Sequence, residues 1–67
     1  MITFFINGEP REFAAPLTLA ELIVALELTG KRIAIEKNGD IVPRSQHAQT
    51  MVADGDRLEV VVAVGGG

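Results

Sequence analysis

The stretch Thr18-Leu19-Ala20-Glu21-Leu22-Ile23-Val24-Ala25-Leu26 decides the fold, because it carries the clearest helical signature between runs that alternate like strands. Thr18 and Glu21 have the spacing of a capping box, in which each side chain binds a backbone donor orphaned by the helix start. Leu19, Leu22, Ile23 and Leu26 follow at i, i+3, i+4 and i+7, one apolar stripe for packing on a sheet. Pro16-Leu17 leads in. Gly30 is the expected left-handed stop, and Lys31 and Arg32 beyond it suit the negative end of the helix dipole.

Upstream, Ile2 to Ile6 alternates as a strand, with Ile2, Phe4 and Ile6 on one side and Thr3 and Phe5 on the other. Asn7-Gly8 is a two-residue hairpin turn, since both positions tolerate positive φ. Glu9 to Phe13 returns antiparallel, and Pro10, lacking an N–H, puts that strand at a sheet edge. Downstream, Ile33 to Lys37 is a strand, Asn38-Gly39 repeats the hairpin signal, and Asp40-Ile41-Val42 stays extended until Pro43. Arg44 to Gln49 is polar and unpatterned, a short helical turn or loop. Thr50-Met51-Val52 reads as a brief strand before the turn Asp54-Gly55-Asp56. Arg57 to Val64 is the longest β-type run, with Leu58, Val60, Val62 and Val64 on one face and Glu59, Val61 and Ala63 on the other.

Hairpin, helix, further strands: this order predicts an α+β domain over residues 1–64. A mixed sheet of four to five strands would have one main helix across one face, which covers the apolar strand faces economically. Residues 65–67 form a flexible glycine tail. At 67 residues the chain makes one small domain, with too little core for a deep enclosed pocket. It has no cysteine, hence no disulfide and no thiolate nucleophile or metal ligand, and a lone His47 cannot build a metal cluster. The net charge of −3, without a basic run, argues against nucleic acid. Met1 to Ile6 is apolar but lacks a basic flank, so it is not a signal peptide, and nothing approaches a membrane span. A cytoplasmic protein is the expectation.

The tail Gly65-Gly66-Gly67 is the feature that core packing leaves unexplained. Without Cβ atoms it can enter a slot too narrow for other residues, and its terminal carbonyl is open to attack. On the tail alone, a frayed terminus is an equally good account. Its attachment to this order of elements favours a functional one.

The opening strand with Asn7-Gly8, then Thr18-Leu19-Ala20-Glu21-Leu22, then Asn38-Gly39-Asp40-Ile41-Val42-Pro43-Arg44 resembles the ThiS family of sulfur carriers in thiamine biosynthesis. Asp54-Gly55-Asp56 and the ending Ala63-Val64-Gly65-Gly66-Gly67 complete the resemblance, which spans essentially the whole chain. Each motif is weak alone; their order and spacing together are specific. The resemblance implies a β-grasp, ubiquitin-like fold and a protein that is not itself an enzyme. It implies adenylation of the Gly67 carboxylate by an E1-like adenylating enzyme that uses ATP, no cofactor being bound by the chain. A persulfide sulfur donor then yields a thiocarboxylate, which gives its sulfur to thiazole synthase. The alternatives are the small subunit of molybdopterin synthase, a ubiquitin-like protein modifier, and a plain interaction domain with an inert tail.

Phe5, Val61 and Ala63 should point outward on adjoining strands, where a contiguous apolar patch would dock partners. His47 reads as a surface histidine, Arg44 as solvated, and Asp54 and Asp56 as turn formers, since two carboxylates fall far short of a calcium site.

Overall fold

The computed structural model describes residues 1–14 and 16–63. Val64, the glycine tail and the boundary between them therefore lie outside the described residues. Within them the chain forms β1 (Ile2–Ile6), β2 (Glu9–Phe13), β3 (Leu17–Thr18), α1 (Leu19–Ala25), β4 (Ile33–Lys37) and β5 (Asp40–Val42). A 3-10 turn (Arg44–Gln46), β6 (Met51–Val52) and β7 (Arg57–Val62) follow. The main sheet has the order β2-β1-β7-β4-β5, so β2 is an edge strand, as Pro10 requires. β1 and β7 run parallel at its centre, and the other neighbours are antiparallel, which makes the sheet mixed.

Local chemistry sets the two hairpins. Asn7 (φ 51°) with Gly8 (φ 85°), and Asn38 (φ 52°) with Gly39 (φ 91°), put both central residues at positive φ. That is the turn whose twist matches its flanking strands.

The capping box forms as expected: Thr18 Oγ1 accepts from the Glu21 N–H, and Glu21 Oε1 accepts from the Thr18 N–H. The next orphan donors are used too, Leu19 N–H on the Thr50 carbonyl and Ala20 N–H on the His47 carbonyl. These bonds tie the helix start to the segment that leads into β6, whose pairing with β3 in a two-stranded ribbon the sequence did not reveal. Leu19 and Leu22 are fully buried against Phe4, Ile35, Leu58 and Val52. Removing a side chain such as Leu22 from so small a core costs about 2–5 kcal/mol.

The helix exit differs from expectation. α1 stops at Ala25, and Glu27, not Gly30, takes the left-handed position at φ 59°. The Leu28 N–H bonds the Ile23 carbonyl and the Glu27 N–H bonds the Val24 carbonyl, a Schellman closure. Gly30, at φ 85°, serves the following turn, in which the Lys31 N–H bonds the Leu28 carbonyl.

Candidate functional site

β7 is the element from which the tail departs, and three devices hold it. The first is its central place between β1 and β4. The second is the pair of hairpin asparagines. β1 stops pairing at Ile6 opposite Leu58, and beyond that point the Asn7 backbone N–H and side chain take over. The Asn7 N–H bonds the Leu58 carbonyl at 2.9 Å. Its side-chain amide then bonds both sides of Val60, Nδ2 donating to the carbonyl at 3.0 Å and Oδ1 accepting from the N–H at 2.8 Å. Asn38 does the same at the strand's start, its Oδ1 accepting from the Arg57 N–H at 2.9 Å.

The third device is the turn before the strand. Asp54 Oδ1 accepts from the Thr3 N–H, and Asp56 Oδ2 accepts from the Ala53 N–H, both at 2.8 Å. Burial alone would push the Asp56 carboxyl up. The Ala53 and Asn38 hydrogen bonds and the Lys37 charge at 3.5 Å outweigh it, and the group sits below its ordinary value of 3.8. Both aspartates are turn formers, as expected.

The strand's two faces are unequal. Leu58 and Val60 enter the core, but Val62, expected beside them, is 37% exposed at the strand's end. On the outer face Val61 is 60% exposed and stands opposite exposed Ala34 of β4. Ala63 follows β7, exposed, its N–H on the Arg32 carbonyl at 2.9 Å. It is the last described residue before Val64 and the glycines.

Phe5 lies on the same outer face, but not beside Val61. The parallel register sets it opposite Arg57, whose guanidinium lies 5.8 Å from the ring centre. Val61 is four residues farther along the strand, about 13 Å away. Between them Glu59 pairs with Glu36, a like-charge neighbour pair that costs stability, and Glu36 faces Ile41 on its other side. Ile41 is 74% exposed. The sequence reading missed both Ile41 and Ala34 as members of this face. Alternation with the inward Ile35 and Val42 was the available signal.

His47 is a correction: it is 5% exposed, with Nε2 3.1 Å from the Val42 carbonyl. The polar run around it concealed a side chain that fastens the 3-10 turn to β5.

Among the described residues no helix is long and apolar enough to cross a membrane. The ThiS family model matches residues 4–67, from the first strand through the glycines. The sulfur carrier protein ThiS of Escherichia coli is 36% identical over 61 residues, covering 91% of this chain and 92% of that one. A thiazole synthase of Paramagnetospirillum magneticum is 47% identical over 62 residues, which is 92% of this chain but 19% of that protein. The chain thus spans about a fifth of the thiazole synthase it matches. The crystal structure of the thiamine biosynthesis protein ThiS from Geobacter metallireducens superposes with a TM-score of 0.83. It is 30% identical, and the match covers 98% of this chain and all of that one. The five-stranded mixed sheet crossed by one helix is therefore the β-grasp fold expected from the sequence. The chain belongs to the ThiS family.

Proposed function

We propose that the chain is a sulfur carrier of thiamine biosynthesis whose reactive group is the carboxylate of Gly67. The supporting observation is the family match that runs through residue 67, so that Gly65, Gly66 and Gly67 belong to the matched pattern. The proposal requires the working chain to end at Gly67 with a free carboxylate.

A carboxylate resists nucleophiles, so activation comes first. The Gly67 oxygen attacks the α-phosphorus of ATP on an E1-like partner, pyrophosphate leaves, and an acyl-adenylate forms. A persulfide sulfur then attacks the acyl carbon and expels AMP. A second thiol cleaves the remaining S–S bond, leaving the thiocarboxylate and a disulfide. With no cysteine in the chain, transferable sulfur has its natural place on this activated end. The protein is a substrate and donor, not a catalyst, and binds no cofactor; ATP is consumed by its cytoplasmic partner.

The four residues after Ala63 span at most about 14 Å, enough to thread a narrow slot while the β-grasp body rests on the partner's surface. Val61 and Ala63, nearest the tail, form the docking contact, and Phe5 with its Arg57 roof adds a second one farther along. Thiazole synthase is the acceptor. The likeness of this chain to part of a protein named thiazole synthase supports that pairing, since joining carrier to acceptor raises their effective concentration.

ATP–pyrophosphate exchange with the adenylating enzyme tests the proposal. Deleting Gly66 and Gly67 should abolish exchange with the circular dichroism spectrum unchanged, and Val61→Lys should weaken it without lowering the thermal midpoint. Normal exchange by the truncated protein would sink the terminal-carboxylate reading.

A further inference from the structure

On the helix side of the sheet, away from the outer face, a cavity of about 260 Å³ opens between α1, the helix exit and the 3-10 turn. Its lining includes the apolar Ile23, Leu28 and Ile33 and the nitrogen-bearing Lys31, Arg44 and His47. The sulfur-carrier cycle proposed above uses none of these groups. His47 is buried, and its Nε2 faces a carbonyl, which can only accept, so Nε2 carries the proton. Its Nδ1 has no partner among the described residues. The one ion pair among those residues joins Lys37 and Asp56, which leaves Lys31 and Arg44 without a carboxylate neighbour there.

We propose that this cavity binds a small organic acid, its carboxylate held by Lys31 and Arg44 and its hydrocarbon body against Ile23, Leu28 and Ile33. Three observations converge on that chemistry. The cavity lies just below the range for drug-sized ligands, so it suits a short chain rather than a nucleotide. Two exposed cations among its lining residues suit an anion, and arginine in particular offers a carboxylate two parallel N–H donors. The unpartnered Nδ1 of His47 can hydrogen-bond a hydroxyl, so a hydroxyl beside the carboxylate would add affinity.

The test uses hexanoate, 2-hydroxyhexanoate and hexan-1-ol as probes of the full chain, followed by amide and imidazole NMR shifts. Hexanoate should give saturable shifts at Ile23, Leu28, Lys31 and Arg44 and at the His47 ring, with the outer sheet face unmoved. Arg44→Gln should weaken it roughly tenfold, the loss of a charge-assisted hydrogen bond. Arg44 is exposed, so the substitution should leave the thermal midpoint unchanged. 2-Hydroxyhexanoate should bind more tightly than hexanoate, and hexan-1-ol far more weakly. Equal binding of hexan-1-ol, indifference to Arg44→Gln, or no saturation up to the probe's solubility limit would overturn the assignment. None of these outcomes bears on adenylation, so the sulfur-carrier proposal stands or falls separately.

Discussion

Asn7 is the residue whose replacement reports most directly on how the tail-bearing strand is held. Its amide makes two part-buried hydrogen bonds to Val60, so their loss leaves an N–H and a carbonyl without these partners. At about 0.5–1.5 kcal/mol each, the two bonds contribute about 1–3 kcal/mol. Asn7 also stands at φ 51°, where an alanine pays a further 1–2 kcal/mol or so. Asn7→Gly should therefore lose about 1–3 kcal/mol, and Asn7→Ala about 2–5 kcal/mol. A domain of this size is stable by only about 3–10 kcal/mol, so the alanine variant approaches global unfolding. Urea denaturation gives both differences, and hydrogen exchange at the Val60 amide should show lost protection even in the glycine variant. A glycine variant as stable as the parent would refute the clamp. Equal losses in the two variants would refute the backbone contribution.

Glu27→Gly should stabilise the protein by about 0.5–1 kcal/mol, because glycine occupies the left-handed helix exit without the Cβ penalty. A lower thermal midpoint would contradict the Schellman assignment. Asp56 predicts an acid-sensitive component of stability. Its folded pKa lies below the ordinary 3.8, so folding favours the ionised form. The contribution is full above the unfolded value and is lost as pH falls through the folded one. The parent's advantage over Asp56→Asn in urea should therefore shrink below about pH 4. A gap that stays constant on acidification would count against the Asp56 network.

The helix start and both hairpins were legible because they rest on local chemistry: a capping box and two Asn-Gly turns whose φ values no distant contact needs to impose. The helix exit was not, because a glutamate occupies a position that local preference assigns to glycine. Leu28, packed against the core, accompanies it there. β6 was legible as a brief strand, but β3, two residues long, is too short to show a period, so their pairing was not. His47 lay in a run without pattern, and its burial depends on a carbonyl five residues upstream and on the helix above it. For the candidate site, alternation put Phe5 and Val61 on the outer face, where Val61 is exposed and Phe5 half-buried, but it also turned the exposed Val62 inward. The separation of Phe5 from Val61 followed from the parallel register of β1 and β7, which no turn between them dictates. The bracing role of Asn7 and Asn38 was hidden behind their turn role, since the same residue type serves both.

The central claim is that sulfur travels on the carboxylate of Gly67, and intact-mass analysis of protein purified from its own cell tests it most directly. Chain incubated with the adenylating enzyme, ATP and a persulfide donor provides the controlled comparison. The account predicts a species heavier by the difference between sulfur and oxygen, with fragmentation confining the change to Gly67. Gly66→Val, which adds a side chain where the partner slot must be narrow, should not form it. Sulfur at any other residue, efficient conversion of Gly66→Val, or branched conjugates on lysines of other proteins would contradict it.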